Sequence, residues 1–137
     1  MKKVYDLRIM QVMSLFEIVS GVTPKDCMVT DQMIVFVVGE GKIARAVGKG
    51  GANIRNLEAK LRKKIKVVEH SSDLLQFIKN VVAPLGVSEL SEEDGVVTLI
   101  AKDLKTRGLL IGRSASNLRF FESIVKRFYP INELKVK

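Results

Sequence analysis

Apolar residues near the start of the chain fall three positions apart, at Leu7, Met10, Met13, Phe16 and Val19. That spacing predicts an amphipathic helix over residues 6–20, stopped at Gly21, with Met and Phe on its core face. Thr23-Pro24-Lys25-Asp26 reads as a turn. Two β-rich runs follow, 27–29 and 33–38, and Thr30-Asp31-Gln32 between them predicts a hairpin. Gly39-Glu40-Gly41 ends the second run. A short helix over 42–47 leads into Gly48-Lys49-Gly50-Gly51. A longer helix then runs from about 52 to 63, with Ile54, Leu57 and Leu61 inward and Arg55, Lys60 and Arg62 on other faces. A strand over 65–68 closes this stretch.

The same order then recurs. Ser71-Ser72-Asp73 can cap a helix that carries Leu74, Leu75, Phe77, Ile78, Val81 and Val82 and ends near Pro84. Runs 87–90 and 96–101 flank Glu92-Glu93-Asp94-Gly95, a hairpin turn signal. A short helix over 106–111, a turn over 112–115, a long helix over 116–128 and a strand over 134–136 complete the second set.

The recurrence is a repeat in the residues themselves. Residues 47–58 lie over 111–122 at an offset of 64 with no gap, and Gly, Asn, Arg and Glu coincide. Lys49 meets Arg113, Ile54 meets Leu118, and Leu57 meets Phe121. The boundary falls near His70, giving units 1–69 and 70–137, each α+β. The short linker excludes free tumbling.

Composition narrows the class. At 47% hydrophobic and 28% charged the chain has material for a core, so disorder is not expected. No apolar run reaches the roughly 18 residues of a membrane span. Asp6, Arg8, Gln11 and Glu17 interrupt the stretch where a secretory leader would need unbroken apolar residues. One cysteine, Cys27, and one histidine, His70, make neither a disulfide nor a metal cage. A soluble cytoplasmic protein without metal or cofactor is the expectation.

Charge adds a partner. The formal net charge is +8. Residues 1–69 hold 13 basic and 7 acidic side chains, residues 70–137 hold 10 and 8. Lys42, Arg45, Lys49, Arg55, Lys60, Arg62, Lys63, Lys64 and Lys66 face only Glu58 in one block. Such a block suits a polyanion and equally suits a solvated lysine-rich helix, so charge alone does not decide. The glycine turn does more. Gly-x-x-Gly between two helices allows a tight reversal, and the missing Cβ lets a phosphodiester come close. N–H groups at the start of the next helix then point at phosphate, and Lys49 or Arg113 adds a cation. A single such turn reads first as a plain helix–helix connection. Its repetition before a basic amphipathic helix reverses that preference.

Val47-Gly48-Lys49-Gly50-Gly51-Ala52-Asn53-Ile54 resembles the (I/V)-G-x-x-G-x-x-I signature of the KH domain, and the element order resembles its type II form. Two such units in tandem resemble the archaeal NusA-like transcription termination/antitermination proteins, over nearly the whole chain. The resemblance implies two type II KH domains, each a three-stranded mixed sheet with helices packed on one face. It implies single-stranded RNA as partner, about four nucleotides per domain, clamped by the glycine loop, with the transcription machinery a further candidate partner. The clamp would be Gly48, Lys49, Gly50 and Gly51, over a groove floor of Ile43, Val47 and Ile54 that equally suits the core, with Arg55 and Lys60 near the strand. In the second unit Gly112, Arg113, Ser114 and Ala115 stand at the clamp, Ile111 and Leu118 below it and Arg119 beside it. Ala115 in place of the last glycine makes backbone approach less free there. The residues carry neither the polymerase-binding N-terminal domain nor the S1 domain of bacterial NusA, so direct polymerase binding is not implied.

Other classes remain in view. An enzyme would need Cys27 as nucleophile and His70 as base, yet Cys27 sits in an expected strand, where cysteine is usually a small buried hydrophobe. No paired carboxylates, metal spacing or Walker loop accompanies them. A KH protein of ribosome assembly or RNA processing would use the same chemistry on another client, and single-stranded DNA would fit a similar groove. A membrane-surface role lacks an exposed aromatic face beside the basic block.

Overall fold

The computed structural model describes residues 5–137; the charged start of the chain, residues 1–4, lies outside them. The described residues divide into two compact units, one ending at Ser71 and the other beginning at Ser72.

The first unit contains α1 (Leu7–Ser20), β1 (Asp26–Val29), β2 (Met33–Val38), α2 (Ile43–Val47), a 3-10 turn at Lys49–Gly51, α3 (Ala52–Leu61) and β3 (Lys64–Glu69). Asp6 caps α1, its carboxylate accepting from the Ile9 N–H at 2.8 Å, and Gly21 ends it in the left-handed conformation (φ 73°). β1 pairs antiparallel with β2, placing Cys27 opposite Phe36. β2 pairs parallel with β3, placing Phe36 opposite Val67. The sheet is therefore mixed, with β2 central, and Ile34–Val38 are all buried, the run of β-branched and aromatic residues expected of a covered strand. Ile34, Phe36 and Val38 alternate onto one face and meet Val12 and Phe16 of α1, Ala46 of α2 and Leu57 of α3. Phe16 stacks on Phe36 with ring centroids 4.2 Å apart. Each fully buried side chain of this kind stabilises the unit by about 1.5–3 kcal/mol. Cys27, at 1% exposure, is part of this core, so it offers no accessible nucleophile.

The second unit contains α4 (Leu74–Val82), β4 (Val87–Glu93), β5 (Val96–Ala101), α5 (Leu104–Ile111), a 3-10 turn at Arg113–Ala115, α6 (Ser116–Lys126) and β6 (Glu133–Val136). Its sheet repeats the first: β4 antiparallel to β5, β5 parallel to β6. Phe77, Ile78, Val81 and Val82 of α4, Val97 and Leu99 of β5, and Leu118, Phe121, Ile124 and Val125 of α6 are buried. Both units are α+β with a three-stranded mixed sheet.

Several boundaries differ from the sequence expectation, each for a local reason. β4 runs on to Glu93, leaving a two-residue Asp94-Gly95 turn in which both residues have positive φ (52° and 81°), the geometry that an Asp-Gly hairpin favours. α5 begins at Leu104 because the Asp103 carboxylate accepts from the Thr106 N–H at 2.7 Å and caps it. α3 stops at Leu61 because Arg62 takes a left-handed conformation (φ 55°) that no glycine announces. α6 stops at Lys126, and Phe128 and Tyr129 beyond it turn onto Phe77 with centroids 5.3 and 5.7 Å away. Among the described residues no helix is long and apolar enough to cross a membrane.

Candidate nucleic-acid interface

The loop joining α2 to α3 is built from three glycines with positive φ: Gly48 (80°), Gly50 (62°) and Gly51 (79°). The Gly51 N–H donates to the Gly48 carbonyl at 3.0 Å, and the Ala52 N–H to the Lys49 carbonyl, which closes the turn. Lys49 and Gly50 form its exposed tip. Two of the glycines have different tasks. A Cβ on Gly48 would lie 2.8 Å from the Asn53 side chain, so its bareness makes room for another part of the protein. A Cβ on Gly50 would meet nothing within 4 Å, so the space beside it is open to a ligand.

Asn53 is the residue that sequence reasoning passed over. Its amide donates to the Arg45 carbonyl at 3.1 Å and the Ala46 carbonyl at 3.3 Å, tying the first turn of α3 to the last turn of α2. Asn117 does the same in the second unit, donating to the Leu109 carbonyl at 2.8 Å, and it fills the space beside Gly112. The signal was present: asparagine is one of the identities at the 64-residue offset. Glu58 and Glu122, another such identity, are also structural. Each accepts from the second residue of the closing strand, Ile65 N–H at 3.1 Å and Leu134 N–H at 2.8 Å.

The second loop keeps the first glycine, as Gly112 (φ 73°), and reproduces the conformation of the first loop without the other two. Ser114 (φ 52°, ψ 36°) and Ala115 (φ 62°, ψ 21°) stand where Gly50 and Gly51 stand, both left-handed. Left-handed backbone at two ordinary residues costs about 1–2 kcal/mol each. Arg113 and Ser114 are exposed at the tip, as Lys49 and Gly50 are.

The other candidate residues separate. Arg55 folds back over the first loop and donates through a guanidinium nitrogen to the Gly50 carbonyl, so it is a second cation at the tip. Its counterpart Arg119 turns the other way. It pairs with Glu122 at 2.7 Å and donates to the Leu134 carbonyl at 3.1 Å, away from the second loop. Lys60 is exposed but lies at the far end of α3, about 12 Å along the axis from Ala52. Ile43 and Ile54 are half-buried and pack on the core edge, and Val47 is half-buried. Ile111 is half-buried, whereas Leu118, at 6% exposure, belongs to the core. Of the basic block, Lys42, Arg45, Lys49, Arg55, Lys60, Arg62 and Lys64 are exposed. Lys63 is half-buried and donates to the Thr30 carbonyl at 2.8 Å. Burial holds the Lys66 ammonium below the usual lysine range.

The KH domain family model matches residues 12–105, a span covering most of the first unit and running into α5. A probable transcription termination protein NusA from Methanococcus vannielii is 37% identical, over 90% of this chain and 73% of its own length. The protein of the same description from Methanocaldococcus jannaschii is 34% identical, over 88% and 68%. In Thermoplasma acidophilum the figures are 32%, 90% and 88%. Among solved structures, the crystal structure of APE1850 matches with a TM-score of 0.77 at 27% identity, covering 97% of this chain and 100% of that one. With a KH match over more than half of the chain and relatives more than 30% identical over about nine-tenths of it, the chain belongs to the KH-domain family, among the archaeal NusA-like proteins.

Proposed function

We propose that the protein binds single-stranded RNA without catalysing a reaction and serves transcription termination or antitermination by holding nascent transcript. In this reading residues 1–69 and 70–137 are tandem type II KH domains. Gly48–Gly51 is the main clamp: the phosphodiester passes over Gly50, faces the N-terminal end of α3, and is neutralised by Lys49 and Arg55. The observation that carries the reading is the open, exposed space beside Gly50, flanked by two cations at the start of a ten-residue helix. The names of the curated relatives support the transcriptional setting.

Gly112–Ala115 is the weaker clamp. It holds Arg113, while Arg119 is engaged by Glu122. A salt titration of affinity for a single-stranded RNA tests the proposal. Lys49, Arg55 and Arg113, each neutralising one phosphate at about −0.7 per contact, give a log–log slope of about −2. Affinity independent of salt, or equal affinity for duplex RNA, would overturn it.

A further inference from the structure

We propose that Asn53 is the positioning residue of the first glycine loop: it touches no RNA, and its amide fixes the direction in which the loop presents its backbone. The inference rests on the reading of Gly48–Gly51 as an RNA clamp.

Three facts meet at this side chain. First, one nitrogen, Nδ2, donates to the Arg45 and Ala46 carbonyls, which lie in the last turn of α2. The final carbonyls of a helix have no partner within the helix, so Asn53 supplies one from the helix that follows. Second, the residue at the pivot is Gly48 (φ 80°, ψ 166°), and its missing Cβ is the volume that the Asn53 amide occupies. Pivot and lock are therefore one device, since the Asn53 amide keeps its place only while residue 48 has no side chain. Third, the device occurs twice. Gly112 (φ 73°, ψ 178°) and Asn117 stand in the same relation, with the Asn117 Cγ 2.6 Å from where a Cβ would lie.

The second unit also separates this device from the glycines at the tip. Gly50 and Gly51 are replaced there by Ser114 and Ala115, yet the loop keeps the same left-handed path. What the two loops share is the pivot glycine and the asparagine lock. The shape of the loop thus follows from the lock, and the tip residues set what it can touch. In functional terms, α2 and α3 are held at a fixed angle. The tip peptides of Lys49 and Gly50 then need not be ordered when a phosphate arrives, and preorganisation of this kind raises affinity without adding a contact.

The test uses the full chain and a single-stranded RNA oligonucleotide, with Asn53→Ala and Asn53→Asp as variants. Aspartate keeps the shape of asparagine but has no N–H to donate, so both variants remove the lock. The expected result is about tenfold weaker binding for each, at an unchanged fraction folded by circular dichroism. Amide exchange at Gly51 and Ala52, whose N–H groups close the loop, should quicken in the free protein, while Phe36 and Val37 of the sheet stay protected. A purely structural role would lower the melting temperature and leave both the affinity of the folded protein and loop exchange unchanged, and that result overturns the inference. If the parent chain binds no RNA, the clamp reading falls and the inference with it. If the parent binds and both variants bind equally well, the clamp stands and the inference fails.

Discussion

Gly48→Ala is the most informative single change in the first unit, because its cost follows from geometry alone. At φ 80° and ψ 166° the residue occupies a region open essentially to glycine, and an alanine there is strained by about 1–3 kcal/mol. Its Cβ would also lie 2.8 Å from the Asn53 amide and 3.1 Å from the Asn53 backbone nitrogen. The backbone nitrogen belongs to α3 and cannot retreat, so the amide swings away and gives up its bonds to Arg45 and Ala46, a further loss of about 1 kcal/mol. The sum is roughly 2–4 kcal/mol. Gly50→Ala is the control: a left-handed residue (φ 62°) with nothing within 4 Å of its Cβ, costing about 1 kcal/mol. At about 4 °C per kcal/mol for a domain of this size, the first change lowers the melting midpoint by roughly 8–16 °C and the second by about 4 °C. Thermal and urea unfolding followed by circular dichroism measure both. In an Asn53→Ala background the clash with the amide and the loss of its hydrogen bonds vanish, and Gly48→Ala should cost only its backbone strain and the tight contact with the residue 53 backbone nitrogen. Equal costs for the two alanines, or no relief in that background, would refute the reasoning.

Ser114→Gly and Ala115→Gly should each stabilise the second unit by about 0.5–1 kcal/mol, because relief of left-handed strain exceeds the entropy glycine adds to the unfolded chain; urea unfolding checks this. Glu122→Ala should destabilise by about 1–3 kcal/mol, leaving the Leu134 N–H without its acceptor and releasing Arg119 and Lys126, and more than Glu58→Ala does. Hydrogen bonds from the Thr106 backbone and side chain hold the Asp103 carboxyl below its usual range. Its stabilisation is complete above the unfolded carboxyl value near 3.9 and is lost as pH falls through the lower folded value, so Asp103→Asn should flatten the acid end of a plot of urea midpoint against pH.

Periodicity and the 64-residue offset make most of the fold legible in the sequence. Helices over Leu7–Ser20 and Leu74–Val82 and strands such as Met33–Val38 and Val96–Ala101 fall where the apolar spacing puts them. The mixed sheet order followed from the resemblance and not from spacing. Arg62 shows why helix ends were harder: a left-handed cap at arginine carries no compositional mark. The site was legible in part. The turn itself, Lys49 and Gly50 at its tip, and the repeat were plain. The distinction between Gly48 and Gly50 was not, because one glycine makes room for Asn53 and the other for open solvent, and only packing separates them. Arg55 and Arg119 occupy equivalent positions, yet one covers its loop and the other serves Glu122. No pattern along the chain predicts that, since the choice depends on which acceptor comes within reach after folding.

The most direct test of the account is the affinity of the full chain for single-stranded RNA when two carboxylates are put at the first tip. Lys49→Asp with Gly50→Asp removes one cation and places negative charge where the proposed clamp would hold the phosphate, on an exposed tip with open space beside residue 50. Aspartate tolerates the left-handed conformation of residue 50, so the fold should survive, with circular dichroism as the check. The account predicts that this pair nearly abolishes binding. Arg113→Asp with Ser114→Asp in the second unit should weaken binding less and chiefly shorten the RNA preferred. Binding by the folded Lys49 and Gly50 variant that equals the parent's would contradict the central claim, and the glycine loop would then be only a turn.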